Sequence, residues 1–369
     1  MTRGLDLALD DVAAALAVID PNDREIWIQM GMAIKSEFGE LGFADWDDWS
    51  SQSDKYKPKD AKSVWKSFRR DGVSIGTLIN EARRNGYEFK TGELTKEEKR
   101  QRKREAEARR KQRAEEIERD EQALLAWNDR VSDTVSRLIN EGLLANSGTS
   151  PYLQTKKVRA YGVYFVPWPF LWVTYIETET IEVINDKAGI SDFFERNKRG
   201  EIDIEKISFR YLKRGTIAIP MRDESGKIIN CQFIFSSGKK TFPKFGRKRG
   251  LFHVCELPDS AASKERPAIA GHLITSDASV ICFAEGYATA ASILQATGLP
   301  VVVTFDAGNM PTVAAAFRGV YPESEMIVCG DDDQENTSNA GREKAEVAAK
   351  LVGGVTVFPD FSYTQEAVE

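Results

Sequence analysis

Acidic side chains recur in the last quarter of the chain, and each follows a short apolar run. Glu285 comes directly after VICFA, Asp306 after VVVTF, and Asp331 after EMIVCG, with Asp333 two residues further on. Carboxylates that crowd together repel one another unless a cation lies among them. Oxygen ligands of this kind suit Mg²⁺ or Mn²⁺. The spacing therefore predicts a divalent-metal site among these strand-end carboxylates.

The elements that position these carboxylates are predicted to form a parallel sheet. Four strands, VICFAE, PVVVTF, EMIVCG and VTVF, alternate with helices expected at 288–296, 312–317 and 341–351, which is typical of an α/β sheet. Functional residues of such sheets lie at the carboxyl ends of the strands. The acidic groups then meet at one edge, where the alternation of extended chain points Asp331 and Asp333 to the same side, unlike Asp332. The alternative is a solvated acidic loop.

The segment before this sheet is strongly basic. Residues 206–250 hold twelve basic and two acidic residues, and TIAIPMRDESGKIINCQFIF predicts a β-hairpin that turns at 223–226. The run after it interleaves cations with aromatics, which suits phosphates and bases; the alternative is a solvated loop. We expect contacts with nucleic acid or NTPs from Arg222, Lys239, Lys240, Lys244, Arg247, Lys248 and Arg249, and base stacking by Phe242, Phe245 and Phe252.

The first 135 residues are predicted to be helical. Residues 1–90 show helical spacing and contain four tryptophans, which we expect to build a small core. Residues 91–135 lack Gly and Pro after Gly92 and predict a long charged helix. This helix is either a solvated spacer or a phosphate-binding surface, because arginine clusters bind nucleic-acid backbones.

Composition excludes several classes of protein. The 369 residues carry a net charge of −6, which taken alone argues against a simple basic nucleic-acid binder. The four cysteines form no CxxC pair, so neither a zinc ribbon nor bound zinc is expected, and Cys282 and Cys329 are predicted inside strands. Their number fits a reducing, cytoplasmic setting. No run of about 18 apolar residues predicts a membrane span, and no P-loop motif is present.

The C-terminal motifs resemble a known domain. FAEGYATAASI, VVVTFDAGN and IVCGDDDQENTSNAGREKA resemble the Toprim domain shared by topoisomerases, bacterial primases and some nucleases. More narrowly, IAIPMRDESGKIINCQFIFSSGKKTFPKFGRKRGLFHV followed by EGYATA is similar to the primases of phages and plasmids. The resemblance covers residues 145–360 and implies that a basic β-rich subdomain and a Toprim domain together form an RNA-polymerising core.

This resemblance implies a DNA primase, a nucleotidyltransferase that makes short RNA primers on single-stranded DNA from NTPs with Mg²⁺ or Mn²⁺. Glu285 would be a metal ligand or an acid/base near the 3′-hydroxyl, and Asp331 and Asp333 would bind the catalytic metals. A replicative helicase is a candidate partner. The alternatives are a Toprim nuclease and a catalytically inactive nucleic-acid-binding protein. The same motifs contain the second-tier candidates Gly286, Asp306, Asn309, Gly341 and Lys344.

The N-terminal block also carries a resemblance. REIWIQMGMAIKSEFGELGFADWDDWSSQSDKYKPKDAKSVWKSF resembles a small helical domain found C-terminal to the catalytic domain of archaeal-type primases. This likeness implies contacts with template or with the first nucleotides through Lys55, Lys57, Lys59, Lys62 and Lys66. We therefore expect a multidomain α/β and α+β protein with a helical domain at 1–90, a charged helix at 91–135, a basic subdomain at 136–279 and a Toprim domain at 280–369.

Overall fold

The computed structural model describes residues 7–68, 73–89, 95–257, 274, 278–331 and 340–359. Contacts divide the chain into two compact units, Met1–Gln122 and Ala123–Glu369. Within these described ranges, every helix is too short or too polar to cross a membrane.

The first unit is a small helical bundle. The Asp23 side chain accepts hydrogen bonds from the Glu25 and Ile26 amides and so begins the second helix, and Pro58 begins the fourth. Its helices are α1 (Leu9–Leu16), α2 (Arg24–Phe38), α3 (Phe43–Ser50), α4 (Pro58–Ser67) and α5 (Ile75–Arg84).

Tryptophans form the centre of this bundle, as the sequence predicts. Trp46 and Trp65 are fully buried, and the ring centroids of Trp27 and Trp46 lie 4.6 Å apart. The indole N–H of Trp49 donates to the Ile19 carbonyl, and that of Trp65 donates to Glu40. Burial of these rings is compatible with their polar N–H groups because each finds an acceptor. Trp46, Trp49 and Trp65 are therefore structural, and Trp27 packs on this core while it stays half-buried.

The long helix α6 (Lys96–Asn140) contributes to both units. In the first unit, the Arg102 guanidinium lies 2.8 Å from the Asp11 carboxylate. In the second, Val131, Val135 and Leu138 lie on one helical face and are buried. The helix extends five residues past the predicted end at 135. Its described side chains between 96 and 126 are mostly exposed, whereas the face from 127 to 138 is packed.

Two small antiparallel sheets open the second unit. The predicted hairpin is confirmed, with strands at Ile217–Arg222 and Ile228–Ile234 paired across a turn in which Gly226 has a φ of +81°. The elements are α7 (Pro151–Lys156), β1 (Tyr164–Phe165), β2 (Phe170–Tyr175), β3 (Thr180–Ile184), α8 (Lys187–Lys198), β4 (Ile207–Leu212), β5 (Ile217–Arg222), β6 (Ile228–Ile234) and β7 (Lys240–Thr241). One sheet has the order β1-β5-β6-β7 and the other β3-β2-β4.

A third sheet, with the order β12-β11-β9-β10-β8, carries the acidic motifs. Four of its strands are parallel, as the sequence predicts. The strand β8 pairs antiparallel with β10, although it comes from the segment before residue 280. The predicted boundary at 280 thus separates two hydrogen-bonded strands. The elements are β8 (His253–Cys255), β9 (Val280–Ala284), α9 (Tyr287–Thr297), β10 (Val301–Val303), α10 (Met310–Val320), β11 (Glu325–Cys329), α11 (Ala340–Val352) and β12 (Val355–Val357).

The helices of this sheet are slightly longer than predicted. Each extends one or more residues beyond its predicted ends, and a short 3₁₀ turn at Ala307–Asn309 precedes α10. The strands are almost entirely apolar on both faces, which is expected where helices cover a parallel sheet. Cys282 lies in β9 and Cys329 in β11, both without a disulfide.

Candidate functional site at the strand ends

The strand register brings the acidic motifs to one edge of the sheet. Ala284 pairs with Val303 on one side and with Cys329 on the other, so these three residues form one row across β10, β9 and β11. Glu285 comes one residue after this row and Asp331 two residues after it. Their positions support the prediction that carboxylates gather at the carboxyl ends of the strands.

The strand β9 is the central strand of this edge, with Asp331 after the end of one neighbouring strand and Asp306 after the end of the other. Glu285, Asp306 and Asp331 are all half-buried. The amide of Phe305 donates to the Glu285 carbonyl at 2.9 Å, which extends the pairing of β9 and β10 past their ends. Asp332 and Asp333 lie outside the described residues. The structure therefore positions two of the three predicted ligands, Glu285 and Asp331.

Glycines allow close approaches around these carboxylates. A Cβ built on Gly341 would lie 2.9 Å from the Asp331 carbonyl oxygen, so the absent side chain lets the first turn of α11 come close to this strand end. A Cβ built on Gly286 would lie 3.3 Å from the Lys240 Nζ. The contact at Gly341 is with backbone and constrains the strand end, whereas the contact at Gly286 is with the end of a flexible side chain. Lys344 is exposed on α11, three residues beyond Gly341.

Asn309 connects this edge to the basic segment. Its Oδ1 accepts from the Gly250 amide at 2.7 Å, and its Nδ2 donates to the Leu251 carbonyl at 2.9 Å and the Thr304 carbonyl at 2.8 Å. Asp306 accepts from the Asn309 amide and so begins the 3₁₀ turn. Asn309 is buried and its amide group bonds three backbone groups, so it positions the basic loop.

Two basic side chains line a cleft beside this turn. Lys248 and Arg249 face Asp306, Gly308 and Thr312 across a volume of about 330 Å³. Both cations are exposed at their ends, and the Lys248 Nζ lies 5.0 Å from the Phe242 ring centroid. A cleft with two cations at the start of a helix suits an anionic group such as phosphate.

Lys240 brings a third cation to the carboxylate edge. It lies in β7, the edge strand of the first antiparallel sheet, and its ammonium group approaches Gly286 directly after Glu285. Residues from the basic segment and from the acidic sheet are thus neighbours in one unit. The predicted combination of cations with strand-end carboxylates has a structural basis at Lys240, Lys248 and Arg249.

The other predicted cations have different surroundings. Arg222 donates to the Gly226 carbonyl at 2.8 Å and so supports the hairpin turn. Lys239, Lys244 and Arg247 are exposed, and the Arg247 carbonyl accepts from the Asn230 side chain. These contacts give the basic run a defined conformation, unlike a freely solvated loop.

The stacking prediction is wrong for Phe252. This ring is only 2% exposed and packs edge-on against Phe317, with centroids 4.9 Å apart. Phe245 already stacks on Trp127 at 4.8 Å, and Phe242 packs against Phe305. The aromatics of the basic run therefore hold it in place within the unit.

Sequence reasoning missed two residues that support the site. Tyr287 begins α9, and its hydroxyl accepts from the Tyr161 amide at 2.7 Å and donates to the Arg159 carbonyl at 3.1 Å. Burial raises the pKa of the Tyr287 hydroxyl well above its usual range, which keeps it a neutral donor. His253 lies in β8 beside it, with Nε2 2.8 Å from the Tyr161 carbonyl oxygen. Tyr287 lies within the EGYATA motif, where the sequence pattern indicated only the start of a helix.

The carboxylates at this edge fit a hard divalent cation in their chemistry, because Mg²⁺ and Mn²⁺ take carboxylate oxygens. In the described part of the chain, no three His, Cys, Asp or Glu side chains come close enough to hold a metal ion. Glu285 and Asp331 are the residues that would hold one there, together with any donor from the segment that includes Asp333.

The first unit contains a separate cleft of about 350 Å³ between the start of α2 and the loop before α4. Trp27 and Tyr56 supply aromatic faces, and Arg24 supplies a cation. Of the five lysines predicted to contact template, Lys55 and Lys57 line this cleft. The other three are exposed on α4: Lys59, Lys62 and Lys66.

Comparison with known families identifies two segments of the chain. The family described as Primase C terminal 2 (PriCT-2) matches residues 12–82, and the Toprim domain matches residues 280–360. Both matches confirm the resemblances that the motifs predict. Residues 280–360, which contain four of the five strands of the C-terminal sheet, therefore match the Toprim domain, and the helical bundle of the first unit contains the PriCT-2 segment.

Two curated relatives are primases. A DNA primase TraC of Escherichia coli is 37% identical over 153 residues, which are 40% of this chain and 13% of that protein. A second DNA primase TraC of Escherichia coli is 38% identical over 148 residues, or 39% of this chain and 9% of that protein. The match therefore spans about a tenth of the length of these relatives.

Two primases are among the solved structures that align with parts of this chain. The DnaG primase catalytic domain bound to single-stranded DNA aligns with 65% of this chain and 74% of its own, at 13% identity and a TM-score of 0.37. The Aquifex aeolicus primase, with its zinc-binding and RNA polymerase domains, aligns with 78% of this chain and 62% of its own, at 16% identity and a TM-score of 0.33.

Proposed function

We propose, from the PriCT-2 and Toprim segments and the geometry of the strand ends, that this chain is a DNA primase of phage or plasmid type. It would make short RNA primers from NTPs on single-stranded DNA. One observation carries the proposal: cations of the basic segment lie beside the strand-end carboxylates of the Toprim sheet, with Lys240 next to Gly286 and Lys248 and Arg249 next to Asp306.

This combination suits nucleotidyl transfer. In that reaction the 3′-oxygen of the primer attacks the α-phosphorus of an NTP, the bond to the β-phosphate oxygen breaks, and pyrophosphate leaves. Such chemistry depends mainly on positioning and charge stabilisation. Bound Mg²⁺ or Mn²⁺ would supply charge neutralisation at the triphosphate. Glu285 and Asp331 would hold the cation, together with Asp333.

The protein's own side chains would bind the phosphates and position the reacting groups. Lys248 and Arg249 would bind phosphate oxygens in their cleft, and Asn309 would hold the loop that carries them. Lys240 would contact the phosphate nearest Glu285. The alternative role for Glu285, in place of metal binding, would be to take the proton of the attacking hydroxyl.

The helical unit would supply a second contact with nucleic acid. Its cleft combines aromatic faces with Arg24, Lys55 and Lys57, a combination that suits a base and its phosphate. We propose that this unit contacts the template or the first nucleotide. The reaction would take place in the cytoplasm, with a replicative helicase as a candidate partner.

The test is primer synthesis with labelled NTPs on single-stranded templates, with each divalent metal in turn. We expect short RNA products from the wild type and at least a hundredfold loss in Asp331→Ala, because charge-stabilising groups contribute on this scale. Glu325→Ala is the matched control, since it removes an exposed carboxylate from the opposite end of the same strand.

The outcomes separate the proposed activity from its alternatives. Full synthesis by Asp331→Ala would contradict the assigned site. Cleavage of labelled DNA without NTPs, lost in Asp331→Ala, would indicate a Toprim nuclease. DNA binding with neither reaction would indicate a catalytically inactive nucleic-acid-binding protein.

A further inference from the structure

Trp168 is an exposed aromatic side chain in the second unit. It is 67% exposed, whereas the other six tryptophans of the chain are buried or half-buried. Exposure of a ring this large forgoes most of the hydrophobic stabilisation that its burial would provide. Single exposed apolar residues are common. The exposure of Trp168 therefore indicates a binding role only if the surrounding residues hold the ring in an exposed position.

The backbone around Trp168 is rigid. Pro167 and Pro169 flank it, which fixes the backbone on both sides and restricts Trp168 itself to extended conformations. The Val166 amide donates to the Thr216 carbonyl at 2.9 Å, and the Gly215 amide donates to the Val166 carbonyl at 3.2 Å. These hydrogen bonds join the Trp168 loop to the loop at 213–216. The ring is thus held outward on a stiff support.

One cation lies over this ring, and a second cation precedes the first in the sequence. The Arg214 guanidinium carbon lies 5.8 Å from the Trp168 ring centroid. Lys213 is exposed, with Nζ 5.8 Å from the Tyr211 ring centroid. An aromatic face next to positive charge is the combination that binds single-stranded nucleic acid, because bases stack on the ring and phosphates pair with the cations.

The strand register shows where the Trp168 loop lies relative to Lys240. Phe165 pairs with Ile217, Ile217 with Ile234, and Ile234 with Lys240, so one row crosses the sheet from β1 to β7. Three strand spacings separate the ends of this row, or about 14 Å. Trp168 follows Phe165 by three residues, beyond the end of β1. The Trp168 loop and Lys240 therefore lie at the same end of one sheet, on its two edges.

We propose that Trp168, Arg214 and Lys213 form a platform on which a base of single-stranded nucleic acid stacks. The same strand of nucleic acid would also pass Lys240. A base would stack on the Trp168 ring, and the adjacent phosphates would pair with Arg214 and Lys213. The identification of this strand as the template rests on the proposed primase function. The platform itself rests on the exposed ring, its rigid support and its cations.

The test measures binding separately from synthesis. Fluorescence anisotropy with a labelled oligodeoxythymidylate compares the wild-type chain with Trp168→Ala, Trp168→Tyr and Arg214→Gln. One lost base stack weakens binding between about 5-fold and 150-fold, so we expect a weakening in this range for Trp168→Ala. Trp168→Tyr should retain most of the affinity. Arg214→Gln should reduce the slope of log K against log salt by about 0.7.

Matched controls remove similar groups elsewhere in the same unit. Ile204→Ala truncates a side chain that is 72% exposed, and Arg199→Gln removes an exposed cation already paired with Glu201. Neither should change binding. Unchanged affinity in Trp168→Ala would overturn the platform, and so would equal losses in Trp168→Ala and Ile204→Ala.

Synthesis assays keep the two proposals distinct. If the wild type makes no primers but Trp168→Ala loses DNA affinity, the platform stands and the primase function fails. If the wild type makes primers and Trp168→Ala binds DNA like the wild type, the platform fails and the primase function stands. In that second case, retained DNA binding together with altered association with a protein would assign the ring to a protein partner.

Discussion

At the scale of single residues, the most informative contacts are those that sequence motifs do not reveal. His253 and Tyr287 both hydrogen-bond to the backbone at 159–161, and their ring centroids lie 5.8 Å apart. Tyr287 comes two residues after Glu285. A buried polar pair therefore fixes the start of α9, and with it the strand end that carries the candidate catalytic carboxylate.

His253 makes the stability of the protein pH-dependent. Burial, with a smaller contribution from Arg222, lowers the pKa of His253 from 6.5 to about 4. The folded state thus favours the neutral ring, so its contribution is complete above pH 6.5 and is lost as the pH falls from 6.5 towards 4. We expect this group alone to reduce the free energy of unfolding by about 2 kcal/mol between pH 7 and pH 5.

Urea unfolding at pH 7 and pH 5 measures this effect. In His253→Gln the titrating ring is absent, so the decrease between the two pH values should be smaller by that amount. Identical decreases in the wild type and the variant would contradict the assignment.

At the scale of elements, the sequence pattern correctly predicted those strands and helices that depend on residues close together in the chain. The hairpin at 216–235 and the alternation after residue 280 follow from β-branched runs, turn residues and helical spacing. The pairing of β8 with β10 could not be predicted in this way, because three residues at 253–255 carry too little local signal for a long-range pairing. The same limit explains Phe252, whose place in a basic run gave no indication of its contact with Phe317.

The same distinction between local and long-range interactions applies to the candidate site. The strand-end positions of Glu285 and Asp331 follow from topology, so the sequence sufficed to predict them. The roles of Asn309, Gly286 and Gly341 depend on contacts between distant segments, which only the folded chain defines.

The approach of α11 to β11 gives a prediction at this scale. Gly341→Ala places a Cβ 2.9 Å from the Asp331 carbonyl oxygen, so the strand end or the helix must shift by a few tenths of an ångström. We expect primer synthesis to fall at least tenfold, because small displacements of catalytic groups are costly. The free energy of unfolding should fall by less than about 2 kcal/mol.

Gly319→Ala is the matched control on the neighbouring helix. No atom lies within 4 Å of a Cβ built there, so this variant should keep full synthesis and gain up to about 1 kcal/mol of stability from helix propensity. Equal activity in Gly341→Ala and Gly319→Ala would show that the close approach does not position Asp331.

At the scale of the whole molecule, charge is segregated along the chain. The net charge of −6 combines a basic segment at 206–250 with an acidic C-terminal block. Within the second unit these regions meet at the strand ends, where cations line one side of the candidate site. Overall acidity therefore does not oppose nucleic-acid binding, because the local field at the site is set by its nearest charges.

The salt dependence of DNA binding tests this view. Each cation–phosphate contact on single-stranded DNA contributes about 0.7 to the slope of log K against log salt. Replacement of Lys240, Lys248 and Arg249 by Gln should reduce this slope by about 2. Replacement of Lys187, Lys198 and Lys350, three exposed lysines elsewhere in the same unit, should leave it unchanged.

The small strand β8 determines which fragments of the chain keep the edge of the C-terminal sheet covered. Val301, Val302 and Val303 are fully buried, and β8 occupies the backbone hydrogen bonds on the outer side of this strand. A fragment that starts at residue 280 would lose this cover and present an unpaired edge of three valines. Such edges promote intermolecular strand pairing and aggregation. We therefore expect that soluble expression of this sheet requires the chain from at least His253 onward, so that the edge stays protected.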